Sequence, residues 1–198
     1  MLLDTTHDLI LAVARDIFYR KGLAGARMQE IADAANLNKA MLHYYFKTKE
    51  QLFDTVFQQA LGEFLGSITQ VLASQRPVRE KISDYVDYTV EALLTQPAVA
   101  LFILHELPQH PDRLARQFAN HALVDLHVFR QQLAAEKGSA SWPAVTADQL
   151  FVDMVALCVY PFLAQPLLQT LLQQSESQYQ DFLSERKQFI KDSLLARV

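Results

Sequence analysis

"MQEIADAANLNKAMLHYYFKTKEQLF", residues 28–53, holds two short apolar-periodic runs joined by a turn, and its reading decides the fold. Asn36 stands where a tight turn needs a left-handed backbone, which asparagine adopts most readily after glycine. The runs on either side read as helices, one from Met28 to Ala35 and one from Lys39 to Phe46. Asn38 can cap the second of them. Thr48 with Gln51 gives the threonine-x-x-glutamine capping box that starts a further helix at Lys49. At about 100° per residue, Leu42, Tyr45 and Phe46 share one face of the second helix, while Ala40, His43, Tyr44 and Lys47 point the other way, with Lys39 and Met41 at the rims. One face packs and the other is presented outward.

Outward from this stretch the chain reads as all-α. Of its 198 residues 51% are hydrophobic and only five are glycine, and no polar low-complexity run or alternating β-branched stretch interrupts it, so disorder and a sheet are both excluded. Pro77, Pro97 and Pro111 each open an apolar-periodic run, as proline does in a first helical turn. The resulting map has nine helices. Helix 1 runs from Thr5 to Lys21, helix 2 from Met28 to Ala35, helix 3 from Lys39 to Phe46 and helix 4 from Lys49 to about Ser74. Helices 5 to 9 cover 78–95, 98–107, 112–136, 147–172 and 176–195. Residues 136–148 form the longest loop-like stretch. The expected division is 1–48 for one domain and 49–198 for a larger one.

Charge divides unevenly along this map. Residues 1–53 carry seven Lys/Arg against six Asp/Glu, and residues 54–198 carry eleven against sixteen, so the non-acidic part is the one holding the aromatic and basic stretch. That is the sign expected if the N-terminal part meets phosphate. MLLDTTHDLI has no basic leader, and the longest nearly apolar run, residues 154–164, is shorter than the ~20 residues a membrane span needs. The expectation is a cytoplasmic chain without a membrane partner. The single cysteine, Cys158, has no partner for an intrachain disulfide.

Residues 28–53, preceded by "LILAVARDIFYRKGLAGA" at 9–26, resemble the DNA-binding domain of the tetracycline-repressor (TetR) family of bacterial transcription regulators. The resemblance rests on Ile31-Ala32, the small residues before the turn, Leu37, Lys39, Leu42, the aromatic cluster ending in Phe46, and Lys49-Glu50 with Leu52. It implies an N-terminal helix-turn-helix followed by a larger helical domain that binds a ligand and dimerises. Carried over position by position, it implies base contacts from Gln29, Lys39, Ala40 and His43. Met41, Tyr44, Tyr45 and Lys49 become the backbone contacts, Lys49 aided by the positive N-terminal end of its helix. Three departures matter. The family usually has Thr or Ser before its second helix where this chain has Ala26-Arg27, so Arg27 takes over the phosphate contact. Asn36 replaces a turn glycine, and His43 replaces a common tyrosine.

Past residue 53 no catalytic constellation is found. "HELPQH", 105–110, superficially matches a zinc-protease pattern, but its second histidine is one position too far and Pro108 breaks the helix. His121 and Asp125 lie four apart on helix 7, where a solvated hydrogen-bonded pair outweighs a metal site. Cys158 has no neighbouring base or cation to make a thiolate and reads as a small core residue. No metal or cofactor is called for, and the chain is not read as an enzyme. The apolar faces are Ile82, Val86, Val90 and Leu93 on helix 5, Ala119, Leu126, Phe129 and Leu133 on helix 7, and Tyr179, Leu183, Ile190 and Leu194 on helix 9.

Helix 8, with Leu150, Met154, Leu157, Phe162 and Leu163, is apolar nearly all round and needs cover on more than one side; Pro161 and Pro166 should kink it. The resemblance implies a homodimer through helices 8 and 9, with two reading heads about 34 Å apart on double-stranded operator DNA. It also implies a repressor released by a small-molecule effector. Candidate effector-lining residues are Phe64, Tyr88, Phe102, His105, His127 and Cys158, mixing aromatics with a few polar groups. The alternative is a helical ligand-binding or enzymatic protein that has lost DNA binding.

Overall fold

The computed structural model describes residues 6–109, 126–136 and 145–198, with the side chains of Ala100, His105 and residues 107–109 left aside. Among the described residues there are ten α-helices and no strand. They are α1 (Thr6–Gly25), α2 (Met28–Ala34), α3 (Lys39–Tyr45), α4 (Lys49–Ala73), α5 (Val78–Thr95) and α6 (Pro97–Gln109). After residues 110–125 come α7 (His127–Glu136), α8 (Ala147–Leu163), α9 (Gln165–Leu172) and α10 (Glu176–Leu195). The chain divides into two compact units, Met1–Glu63 with Leu101–Asn120 and Phe64–Ala100 with His121–Val198.

In the first unit, α1 buries Ile10, Leu11, Ala14, Ile17 and Phe18, the one-sided stripe of a surface helix. Its helical course is broken at Gly22 (φ 63°, ψ −176°), a conformation for which only glycine is unstrained, so the helix proper ends where Lys21 was expected to end it. Phe18 meets Phe53 of α4 edge-on at 5.0 Å, and Phe53 and Phe57 in turn pack on Phe102 of α6. α6 runs through Pro108 to Gln109, so that proline does not end the helix as the sequence reading expected; it lies in the last turn, where little ladder remains to be lost.

The second unit is a packing of α5 against α8 and α10, with α7 against α8. The stripes are those the periodicity marks: Ile82, Val86, Val90 and Leu93 on α5, and Tyr179, Leu183, Ile190 and Leu194 on α10, are all buried. Phe129 and Leu133 of α7 are buried too, while Ala119 lies outside the described residues. Lys191 Nζ reaches Asp87 Oδ2 at 2.6 Å, tying α10 to α5. Lys81, an apparent surface lysine in sequence, is 0% exposed and donates to the carbonyl of Leu72 at 2.8 Å, capping the end of α4; burial lowers its pKa.

The predicted helix over 147–172 is two helices. Pro161 stays inside α8; the break falls at Ala164, after which α9 turns away by 76° with Pro166 in its first turn. Pro166 has no N–H for the carbonyl four residues back and its ring crowds that position, so the ladder stops there. Near the break the Pro161 carbonyl accepts the buried hydroxyl of Tyr179 at 2.7 Å. α9 then ends on Gln173 in the left-handed region (φ 54°), closed by bonds from Gln173 N to Thr170 O and from Gln174 N to Gln169 O. No single described helix is long and apolar enough to cross a membrane.

Candidate nucleic-acid interface

α2 and α3 are seven residues each, too short to persist alone, and their ends are secured by hydrogen bonds. Asn36 adopts φ 55°, as the sequence predicts, and the turn closes with Leu37 N to Ala32 O at 2.9 Å and Asn36 N to Asp33 O at 3.0 Å. This is the paired-bond ending that a left-handed residue permits, and asparagine supplies it in place of glycine. Asn38 Oδ1 then accepts Met41 N at 2.7 Å, capping α3. At the far end Thr48 Oγ1 accepts Gln51 N at 3.1 Å, but Gln51 Oε1 takes the N–H of Lys47 rather than that of Thr48, so the box is shifted by one residue on its second bond. Arg27, extended at the start of α2, makes no side-chain cap there.

These ends fix which side of α3 faces in. Leu42 is 0% exposed and Phe46 is buried, with the ring of His7 stacked on Phe46 at 5.2 Å and tilted toward Tyr45 at 6.3 Å. Tyr45 is consequently half-buried, while Arg27, Gln29, Lys39 and Ala40 are exposed, Met41 is 43% and Tyr44 73% exposed. Lys47 Nζ lies 5.9 Å above the Tyr44 ring, and Gln29 Nε2 donates to Asp33 Oδ1 at 2.7 Å. His43 is half-buried beside the link to α4, its Nδ1 3.3 Å from the carbonyl oxygen of Lys47.

Lys49 behaves differently from the rest. Its ammonium donates to the carbonyls of Leu23 at 2.7 Å and Ala26 at 3.0 Å, clamping the start of α4 to the segment between α1 and α2. Two of its three protons are committed to the fold. The sequence offered no sign of this, because the carbonyls exist only once Gly22 has bent the chain back. His7 is another residue that sequence reasoning left unassigned.

The candidate effector-lining residues fall in both units. Phe102 packs among Tyr19, Phe53 and Phe57 in the first, and His105 lies on α6 of the same unit, its side chain outside the described residues. In the second, Phe64 is half-buried, Tyr88 and His127 are exposed, and Cys158 is buried near Tyr85, its thiol pushed up to about 12 by burial. An open groove at the start of α8, lined by Val145, Asp148, Gln149, Val152 and Asp153, includes none of them. No cluster of three or more His, Cys, Asp or Glu able to hold a metal occurs among the described residues, and His121 and Asp125 lie outside them.

Residues 10–56 match the family described as bacterial regulatory proteins, tetR family. The chain is 38% identical over 61 residues to the HTH-type transcriptional repressor NicS of Pseudomonas putida, covering 31% of this chain and 29% of that protein. It is 32% identical over 103 residues to the HTH-type transcriptional regulator RutR of Escherichia coli, covering 52% and 48%. The matched part thus spans less than half the length of either relative. Among solved structures, the transcriptional regulator FadR of Bacillus subtilis in complex with stearoyl-CoA superposes with a TM-score of 0.63 at 13% identity, over 96% of this chain and 98% of that one, which establishes a shared fold. The likeness to the tetR family of bacterial regulatory proteins thus holds for residues 10–56, and the chain as a whole shares the fold of that solved regulator.

Proposed function

We propose that this chain is a DNA-binding transcriptional regulator, a dimeric cytoplasmic repressor that a small-molecule effector releases from its operator. Residues 1–48 serve DNA binding and residues 49–198 serve effector binding and dimerisation. The observation that carries the reading is the outward face of α3, where Lys39, Ala40, Met41 and Tyr44 are exposed while Leu42 and Phe46 hold the helix from behind. Lys39, Ala40 and His43, with Gln29 from α2, meet base edges; Arg27, Met41, Tyr44 and Tyr45 meet the phosphate backbone. Lys49 acts through the fold with two protons and offers phosphate the third.

Dimerisation is supported by apolar surface left uncovered in the single chain. Val152, Tyr160 and Leu163 of α8, Leu167, Leu171 and Leu172 of α9, and Phe189 of α10 are all exposed, and α9 buries no residue of its own. A second copy is the cover we assign to them. For the effector we propose a moderately apolar small molecule; the apolar acyl chain of the stearoyl-CoA held by the neighbouring FadR structure supports this reading. Of the lining candidates, Phe102 and Cys158 are buried and Phe64 is half-buried, as such a role needs. An effector that favours the released arrangement by ~1–3 kcal/mol weakens operator binding roughly 5- to 150-fold.

The test is a gel-shift titration with DNA from beside the coding region, repeated over a salt series. Affinity should fall steeply with salt, and Lys39→Ala should weaken it about ten-fold or more. Binding that ignores both salt and Lys39 would remove α3 from the mechanism.

A further inference from the structure

His43 is anchored by an oxygen that can only accept. The Lys47 carbonyl lies in the link between α3 and α4, ahead of the first backbone bond of α4, from Leu52 N to Thr48 O at 3.3 Å. Its partner is His43 Nδ1, 3.3 Å away. Because a carbonyl has no hydrogen to give, the neutral ring must carry its proton on Nδ1, and Nε2 is left with a bare lone pair. Nε2 is therefore an acceptor. One turn earlier, Lys39 is exposed and can only donate.

The major groove distinguishes these two kinds of group. Adenine and cytosine offer amino hydrogens, N6–H2 and N4–H2, whereas guanine and thymine offer only acceptors at O6, N7 and O4. Building on the assignment of α3 to the groove, we propose that His43 selects an amino base, adenine or cytosine, through Nε2, on the strand it faces. Lys39 beside it selects guanine. Recognition is thus written as an acceptor next to a donor on one helix face, and the acceptor half is set by the main chain of Lys47. For the neutral ring this preference is a matter of hydrogen-bond polarity.

The experiment is selection of bound sequences from randomised duplex DNA, with the full-length chain and two variants at its half-exposed surface position, His43→Leu and His43→Lys. Wild type should enrich adenine or cytosine at one position of each half-site, and a guanine or thymine placed there should bind roughly two- to ten-fold more weakly. His43→Leu should flatten that position alone. His43→Lys, which can only donate, should turn it to guanine or thymine. Enrichment of guanine or thymine by wild type at the position sensitive to His43→Leu overturns the proposal, as does a His43→Leu profile unchanged at every position; in both cases DNA binding by α3 survives. A wild type that enriches no sequence overturns the DNA-binding assignment itself, and the proposal with it.

Discussion

In the unit that carries α2 and α3, two helices of seven residues are held at their ends; in the unit of α5, α8 and α10, helices of 18, 17 and 20 residues are held along their lengths. The short pair depends on Asn36 and Asn38, each satisfying a backbone group that a helix end leaves unpaired, and Thr48 does the same for the start of α4. The long set depends on apolar stripes, with each fully buried side chain contributing about 1.5–3 kcal/mol. A surface built the first way can change its outward residues without touching its supports. A surface built the second way gives up its support when its apolar face changes. The difference suits the division of labour proposed above, in which the exposed side chains of α3 read a sequence and the exposed apolar side chains of α8 to α10 are covered by a second copy.

The sharpest way to break this contrast is to attack the ring cluster, where the head is stabilised as the body is. Phe53 sits at the centre of four rings, facing Phe18, Phe57 and Phe102 directly. Phe53→Ala should cost about 3–5 kcal/mol, read as a lowered urea midpoint. Next in size is the exception in the body, Lys81. Lys81→Ala should cost about 2–3 kcal/mol by leaving a cavity and stranding the Leu72 carbonyl, whereas Lys81→Met, which refills the volume but still leaves that carbonyl without its donor, should recover the cavity part alone. The pH series distinguishes these further. Burial lowers the Lys81 pKa, so the folded chain releases this proton at a lower pH than the unfolded chain. Between those two values the unfolded state binds more protons and stability climbs with pH. Lys81→Met should remove that climb.

Asn38→Ala tests the end-held design directly and should lower stability by about 1 kcal/mol, measured by thermal unfolding. Its effect on operator affinity should be larger than its effect on the body, which ring-current shifts of Tyr179 would show to be intact. The smallest effect expected is a gain. Gln173 holds a positive φ that glycine adopts freely; Gln173→Gly should raise stability by about 0.5–1 kcal/mol.

The head was legible in the sequence because its structure is local. Asn36, Asn38 and Thr48 each act within a few residues, so the left-handed turn, the cap and the start of α4 follow from residue type and spacing. The stripe on α10 was legible for a related reason: a period of about 3.6 survives without knowledge of what covers it. What escaped was long-range. Nothing in the run around Lys81 separates a buried lysine from a solvated one, since the Leu72 carbonyl arrives from another helix. The inward turn of Lys49 depends on Gly22 and on carbonyls more than twenty residues away. Pro161 and Pro166 announced a bend, yet periodicity could not choose between them, and the break followed Pro166 while Pro161 remained within α8. An effector pocket is the least legible feature in such a sequence, because an apolar cluster looks the same whether it is filled by a ligand or by its neighbours.

Cys158 is the only cysteine in the chain, 1% exposed, with its thiol held protonated up to about 12. Maleimides and methanethiosulfonates need an accessible thiolate, so at neutral pH they should pass it by. Lys47→Cys, at an exposed site beside the recognition surface, would then be the sole address for a nitroxide or a fluorophore, with the native protein as its own blank. In the proposed dimer, electron-spin distance measurements between two such tags would follow the separation of the heads as DNA or a trial effector is added, without first stripping the molecule of its native sulfur.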